Sequence, residues 1–184
     1  VNGKAVLNVN GLVEGIHTVT VNYEGDENFT ESIITNDFAI SNVNASLNVI
    51  VGNITYGNNA TIVVSTNDKA TGTVTVTLNG KDYIETLVNG KATLSVSGLA
   101  AGDYTVTARY INGGNFANAT VDTEFTVSKA NPNMTVGVTT GDYGTKANVT
   151  VTLNNNATGS VTITVSGKGS QTVAIVDGKA TWSI

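Results

Sequence analysis

The sequence predicts an all-β protein made of β-sandwich units in series, and three observations support this. Strand-forming Val and Thr are combined with turn-forming Asn and Gly, and the chain has only one proline. Apolar and polar residues alternate with the period of two that is typical of half-buried strands. The strand–loop–strand stretch Val88–Tyr110 has a close copy at Val1 and begins again at Val176.

Composition and charge argue against several classes of function. Only 12% of the 184 residues are charged, and the net charge of −5 argues against nucleic acid as a partner. No run of 18 apolar residues exists, so we expect no membrane span in this segment. The absence of cysteine excludes a disulfide scaffold and a thiolate metal site.

The copies set the predicted organisation of the chain. A shift of 87 residues aligns Tyr23 with Tyr110, and the shift becomes 88 where Val88 aligns with Val176, which indicates a one-residue insertion. We therefore predict three parts: 1–41 as the C-terminal half of a unit, 42–129 as a complete unit, and 130–184 as the N-terminal part of a third.

Within the complete unit, strands follow one another with turns every 8–12 residues. Asn79-Gly80 and Asn89-Gly90 each suit a two-residue type I′ hairpin turn, in which both residues need positive φ. The positions predicted to face the interior are Leu47, Val49, Val51, Ile62, Val64, Val74, Val76, Leu78, Ala92, Leu94, Val96, Tyr104, Val106, Ala108, Tyr110, Val121, Phe125 and Val127.

About seven short strands in roughly 85–90 residues is the pattern of an immunoglobulin-like sandwich. Tyr104 begins a late strand just after a Gly-Asp turn, where a tyrosine corner would lie, and its counterpart in the first part is His17. The linkers between parts, Ser41–Ser46 and Ser128–Asn133 with Pro132, are short. We therefore expect consecutive units to stack end to end as a semi-stiff rod.

The stretch GLAAGDYTVTARY (98–110), the following Asn115-Phe116 and the closing FTVSK (125–129) resemble the bacterial Ig-like domain repeats of group 3. Such repeats are abundant in large adhesin-like surface proteins of methanogenic archaea and in some bacteria. The resemblance covers the whole chain and implies a spacer or scaffold role at the cell surface. It supplies no catalytic residue and no cofactor.

No cluster in the sequence predicts catalysis or metal binding. The single histidine, His17, is interpreted as a structural aromatic because its counterpart is Tyr104. Glu24, Asp26 and Glu27 form the densest acidic patch, but the matching loop 111–118 has no acid, which favours solvated charge over a Ca²⁺ site. Single carboxylates at turns, Asp103 and Asp142, suit side-chain to backbone hydrogen bonds.

Some aromatic residues recur at equivalent positions of two copies, and others occur in one copy only. Tyr56 with Tyr143, and Phe29 with Phe116, recur at equivalent positions, and we expect them to plug the ends of the sandwich. Trp182 alternates in phase with Ala180 and Ile184, which predicts a core position. Tyr83 does not recur, and as an exposed aromatic on a sheet face it is a candidate contact for a sugar ring.

Two covalent modifications can be considered. Eight Asn-x-Ser/Thr sequons are present, although a composition this rich in Asn and Thr produces many by chance. The loop positions favoured for N-glycosylation are Asn28, Asn118 and Asn156. A Lys–Asn isopeptide crosslink needs a buried lysine, whereas Lys4, Lys91 and Lys179 follow Asn-Gly or Asp-Gly turns and are expected to be exposed.

The sequence thus favours a structural and adhesive segment of an extracellular cell-surface protein, filament or stalk, with neighbouring repeats or adjacent subunits as partners. A glycan-binding module that uses Tyr83 and the Gly113–Asn118 loop is an alternative. The half-units at the two ends are complementary, so a pilus-like subunit completed by strand donation is another alternative to an excerpt from a longer array. An enzyme is not expected.

Overall fold

The computed structural model describes residues 3–111 and 114–184. The chain forms two compact units, Val1–Lys129 and Ala130–Ile184. Every regular element in the described residues is a strand, which confirms the predicted all-β class.

The first unit begins with a two-stranded hairpin. β1 (Gly15–Tyr23) and β2 (Ser32–Ile40) pair antiparallel over nine residues each, with Gly15 opposite Ile40 and Tyr23 opposite Ser32. Neither strand pairs with a third strand in the described residues. The apolar side chains of the hairpin are therefore open to solvent, and Val21 is 59% exposed.

Residues 42–129 hold eight strands in two facing sheets. The strands are β3 (Asn48–Val51), β4 (Ile54–Thr55), β5 (Ala60–Ser65), β6 (Thr73–Leu78), β7 (Lys81–Thr86), β8 (Lys91–Val96), β9 (Gly102–Tyr110) and β10 (Ala119–Ser128). One sheet has the order β3-β5-β8 and the other β4-β10-β9-β6-β7. Neighbouring strands run antiparallel, except that β4 lies parallel to β10.

The sequence predicts about seven strands here, and the eighth arises because the first strand is split between the sheets. β3 pairs with β5, whereas β4 pairs with β10 in the opposite sheet. Asn53, at the crossing point, accepts a hydrogen bond on its side-chain Oδ1 from the Thr126 amide at 2.8 Å. This contact holds the chain where it passes from one sheet to the other.

The core of the sandwich lies between the two sheets at the positions that the alternation predicts. Ile62 and Val64 on one sheet, and Val74, Val76 and Val106 on the other, are at most 1% exposed. Leu47, Val51, Tyr104 and Val121 are half-buried and pack against this core. Burial of an aliphatic side chain contributes about 1.5–3 kcal/mol, so these paired faces are the main source of stability.

Both predicted two-residue turns form, but only Asn79-Gly80 joins paired strands, β6 and β7. Asn89-Gly90 closes the single bridge between Val88 and Lys91, because β7 and β8 lie in opposite sheets. Asn79 and Gly80 have φ of 52° and 73°, and Asn89 and Gly90 have φ of 50° and 70°, as a type I′ turn requires. Gly90 also approaches another segment closely, because a Cβ added there would lie 2.5 Å from the Asn67 carbonyl oxygen. Position 90 therefore requires glycine for the close approach of the Asn67 backbone as well as for the turn.

The second unit repeats part of this pattern. Its strands are β11 (Thr135–Val138), β12 (Asn148–Thr152), β13 (Ser160–Val165), β14 (Gly169–Ala174) and β15 (Lys179–Ser183). They form a three-stranded sheet, β11-β12-β15, and a two-stranded sheet, β13-β14. A small cluster of Val149, Val151 and Ile163 is buried between them, and Trp182 packs against it half-buried, as predicted.

The prediction that recurring aromatic residues plug the sandwich ends is right for one of the four. Phe116 is half-buried against the core, but Phe29 is 69% exposed and Tyr56 is 41% exposed. Tyr143 is fully exposed. Phe29 lies in the loop between β1 and β2, and Tyr143 lies in the loop between β11 and β12.

Candidate functional site

A tyrosine corner stands at the start of β9. The Tyr104 hydroxyl donates a hydrogen bond to the Ala100 carbonyl oxygen, four residues earlier, at 3.0 Å. The Tyr104 ring stacks on Phe125 of the adjacent strand with ring centroids 5.4 Å apart. The contact fixes the loop that enters β9 against the sheet, so the corner predicted from the sequence is confirmed.

His17 occupies the equivalent place on the hairpin. Its Nε2 lies 2.8 Å from the Val13 carbonyl oxygen, again four residues earlier, so a ring protonated on Nε2 donates there. The imidazole stacks on Phe38 with centroids 5.6 Å apart. These contacts confirm the structural interpretation of His17, because they place the ring in the same role as Tyr104.

A junction inside the first unit joins the hairpin to the sandwich, and it centres on Asn115. The Asn115 Oδ1 accepts a hydrogen bond from the Glu14 amide at 2.8 Å, and its backbone oxygen accepts one from the Val43 amide at 2.8 Å. The Ala117 amide donates to the Val43 carbonyl oxygen at 2.8 Å, and Val43 forms a parallel bridge with Phe116. We name these contacts among Glu14, Val43 and residues 115–117 the Asn115 junction.

The sequence did not single out Asn115 for this role. In the sequence, Asn115 stands out only as part of the Asn-Phe motif and of the Gly113–Asn118 loop, of which Gly113 lies outside the described residues. The available signal was the recurrence of Asn-Phe at 28–29 and 115–116, together with the short linker Ser41–Ser46. A shallow depression of about 520 Å³ lies beside the junction and is lined by Glu14, Asn42, Gly114, Phe116, Ala117 and Asn118.

The acidic loop after β1 is organised by one of its carboxylates. Asp26 accepts hydrogen bonds on Oδ1 from the amides of Asn28 and Phe29, at 2.7 and 2.9 Å, and on Oδ2 from the Tyr23 hydroxyl at 2.7 Å. The Tyr23 bond and these amides hold the pKa of Asp26 below its usual value. The bond to Asp26 raises the pKa of Tyr23. Asp26 therefore orders the loop, and the carboxylates of Glu24 and Glu27 take no part in these hydrogen bonds.

Nothing in the described part of the chain gathers metal ligands. No group of three or more His, Asp or Glu side chains converges within residues 3–111 and 114–184. The two turn carboxylates, Asp103 and Asp142, do not make the predicted hydrogen bonds to backbone groups in the described residues. Asp103 accepts a hydrogen bond from the Thr126 hydroxyl at 2.7 Å, whereas Asp142 uses its backbone oxygen for the Thr145 hydroxyl.

Tyr83 is not the exposed platform that the sequence predicts. It lies on the edge strand β7, half-buried, and packs against the sandwich core. The Lys81 ammonium lies 4.7 Å from the centroid of its ring. The long side chain of Lys81 therefore covers a ring face that a sugar would need, and the arrangement weakens Tyr83 as a glycan contact.

The three favoured sequons are accessible. Asn28, Asn118 and Asn156 are exposed and lie outside the strands. The backbone amide of Asn28 donates to Asp26, and that of Asn156 to the Asn154 Oδ1 at 3.2 Å. Their position satisfies the steric requirement for an attached glycan. Lys91 is exposed, as expected, which disfavours an isopeptide crosslink at that residue.

The match to one protein family agrees with this architecture. The family model of the bacterial Ig-like domain (group 3) matches residues 47–128. No curated protein matches. Among solved structures, the crystal structure of chicken CNTN1 FN1-FN3 domains matches at 12% identity and a TM-score of 0.29, over 83% of this chain and 59% of that chain. The chain thus spans less than two thirds of that structure, and a likeness this low assigns no function.

The described residues contain no helix that could cross a membrane. The matched stretch, 47–128, runs from the start of the sandwich to the last residue of β10. In sequence, residues 47–128 are similar to the bacterial Ig-like domains of group 3.

Proposed function

We propose that this chain is a structural and adhesive segment of an extracellular cell-surface protein, in which Ig-like units of about 87 residues follow one another to form a stalk or fibre. The role is mechanical and non-enzymatic. Neighbouring units are the principal partners, and cell-surface glycans are the candidate targets. The resemblance to group 3 repeats in adhesin-like proteins, including those of methanogenic archaea, supports this proposal.

The observation that carries the proposal is the Asn115 junction. Two backbone hydrogen bonds of Val43 and one amide–side-chain bond of Glu14 tie the hairpin to the sandwich across a short linker. Because such contacts restrict rotation about a linker, a force or a distance is transmitted from the hairpin to the sandwich. A spacer needs this property, and a freely hinged string of domains would lack it.

The outer surface suits an extracellular stalk. Threonine side chains form hydrogen-bonded cross-strand pairs on exposed faces, such as Thr20 with Thr35 at 3.1 Å and Thr162 with Thr172 at 3.0 Å. These pairs satisfy polar groups without charge and keep the sheet faces soluble. The exposed sequons at Asn28, Asn118 and Asn156 are candidate positions for N-linked glycans on that surface.

Location is tested on intact cells that make the protein. Antibodies raised against the 184-residue chain should label the cell exterior in immuno-electron microscopy, and externally added protease should remove the label. Labelling only after the cells are opened would contradict the proposal. Glycopeptide mass spectrometry of the native protein checks the three sequons, with the peptide that carries Asn89, which is not in a sequon, as the internal control.

A further inference from the structure

The segments that begin and end the sandwich run side by side and in the same direction. β4 (Ile54–Thr55) pairs in parallel with the last two residues of β10, Val127 and Ser128. Just beyond β4, the Tyr56 amide donates a hydrogen bond to the Ser128 carbonyl oxygen at 2.8 Å. The first segment of the sandwich is therefore bonded directly to the last one.

A second parallel contact joins the same two segments near the start of β10. Val43 forms a parallel bridge with Phe116, and its backbone groups are bonded to Asn115 and Ala117 at 2.8 Å. The bridged residues are 73 positions apart, the same separation as between the partners at the end of β10. Both contacts therefore belong to one parallel register, which the chain leaves between them, where β3 pairs with β5.

Asn53 fastens the chain where it returns to this register. Its Oδ1 accepts a hydrogen bond from the Thr126 amide at 2.8 Å, immediately before the paired residues of β4 and β10. The side chain thus supplies an acceptor to an amide that the two-residue β4 is too short to pair. Nearby, Val127 is 1% exposed, and Ile54 is half-buried against the core. Hydrogen bonds beside a buried apolar cluster are strengthened by its low dielectric.

The parallel arrangement decides how the sandwich meets tension along the chain. The chain continues on both sides of the sandwich, so tension enters at Asn42 and leaves at Lys129. Asn42 adjoins the residues that lead into β10, and Lys129 follows its end. The ten residues of β10 span about 30 Å at about 3.3 Å per residue. Opposite pulls at these two points drive the paired segments past each other, which strains all the bonds between them together.

We propose that the parallel contacts between residues 43–56 and 115–128 form a mechanical clamp, which keeps the sandwich closed while the chain is pulled. The other strands of the sandwich carry tension only after one of these two segments has detached. The Asn53 side chain is the part of the clamp that a substitution can remove without changing a backbone bond. This inference rests on the proposed structural role, because a chain that is never under tension needs no clamp.

Single-molecule force spectroscopy of the 184-residue chain tests the direction of resistance. The chain has no cysteine, so two introduced cysteines give unique attachment points. Asn42→Cys with Lys129→Cys pulls along the clamp. Thr73→Cys with Thr86→Cys pulls on directly opposed residues at the open end of the β6–β7 hairpin, where pairs open one at a time. We expect the first rupture along the clamp to need about twofold more force or higher at equal loading rate. Equal or lower force along the clamp would overturn the proposal.

Removal of the side-chain bond tests the clamp itself. With attachment at positions 42 and 129, Asn53→Ala should raise the rate of the first rupture at constant force by about tenfold, since one bond of the clamp is lost. With attachment at positions 73 and 86, the rate should not change, because the edge strand β7 leaves first. An equal increase in both directions, or no increase in either, would overturn the role of Asn53 in the clamp.

Asn48→Ala is the matched control. Asn48 is exposed on β3, and its side chain has no hydrogen-bond partner in the described part of the chain, so this variant should rupture like the parent in both directions. Circular dichroism checks that each variant is folded before it is pulled. Failure of the clamp would leave the proposed cell-surface role intact, because labelling of the cell exterior does not depend on rupture force. Labelling only inside opened cells would contradict that role and leave the measured force unchanged.

Discussion

The hydroxyl of Tyr104 donates a 3.0 Å hydrogen bond to the carbonyl oxygen of Ala100, four residues earlier in the chain. His17 and Val13 make the same kind of contact 87 residues earlier, at 2.8 Å. The two rings also stack on equivalent phenylalanines, Phe125 and Phe38. The same contact between a loop and the strand that follows it is therefore made by two different side chains, the phenol of Tyr104 and the imidazole of His17.

Removal of the corner hydrogen bond should lower stability without changing the fold. Tyr104→Phe keeps the ring on Phe125 but leaves the Ala100 carbonyl without this donor, and we expect a loss of about 1 kcal/mol in unfolding free energy. The measurement is the denaturant midpoint followed by the near-ultraviolet signal. Tyr83→Phe is the control, because the described residues give its hydroxyl no hydrogen-bond partner. Equal losses in both variants would contradict the role of the corner.

The two Asn-Gly turns should respond differently to the same substitution. Gly80→Ala places a side chain at φ of 73° with open space around it, and we expect a cost of about 1 kcal/mol. Gly90→Ala has a similar φ of 70°, but its Cβ would lie 2.5 Å from the Asn67 carbonyl oxygen. That clash should add about 1–3 kcal/mol. Thermal unfolding of both variants checks the order, which would be contradicted if Gly80→Ala were the more damaging.

Loss of the side-chain bond should loosen the Asn115 junction. Asn115→Ala removes the acceptor of the Glu14 amide but keeps both backbone bonds of Val43. We expect hydrogen exchange at Glu14 to accelerate by about tenfold, which corresponds to the loss of about 1.4 kcal/mol, and exchange at Val43 to change less. Asn42→Ala, an exposed neighbour in the same depression, is the control. Unchanged exchange at Glu14 would count against the junction.

Order in the acidic loop should depend on pH through Asp26. The folded pKa of Asp26 is lowered, first by the Tyr23 hydroxyl, so its stabilising contribution is present above the unfolded pKa near 3.8 and is lost as pH falls through the folded value. The raised pKa of Tyr23 gives the opposite pH dependence. The stabilising contribution of Tyr23 is lost as pH rises through a folded pKa above 10.0.

Amide chemical shifts of Asn28 and Phe29 measured by NMR from pH 7 downward should report this transition. Asp26→Asn should abolish it, whereas Glu27→Gln should leave it in place, because no hydrogen bond from Glu27 orders the loop. A transition that persists in Asp26→Asn would assign the pH dependence to another group.

Local and periodic features of the fold could be predicted from the sequence alone. The Asn79-Gly80 and Asn89-Gly90 turns follow from backbone preferences of the residues themselves, and each forms as predicted. The buried run Val74, Val76 and Leu78 follows from the period of two, because alternate side chains must face the same way in any strand. The predicted role of Tyr104 required only its position after a Gly-Asp turn.

Features that depend on distant partners were decided by the tertiary structure. No pattern in the sequence revealed that Asn115 would meet Glu14, since the bond joins residues 101 positions apart. The half-buried position of Tyr83 does not follow from the sequence, because an edge position and the cover by Lys81 depend on how the strands are ordered in the sheet.

The nearly identical stretches at 3–12 and 90–99 show the difference between what the sequence determines and what the tertiary structure decides. Lys91–Val96 forms β8 because β5 lies beside it and supplies hydrogen bonds and an apolar cover. Residues 4–9 have almost the same sequence but form no strand, and Leu7 is 83% exposed. The sequence alone determined which residues can be strands and where the chain turns. Only the tertiary structure decided which of them become strands, because a β-strand is stabilised by a neighbour that its own residues do not contain.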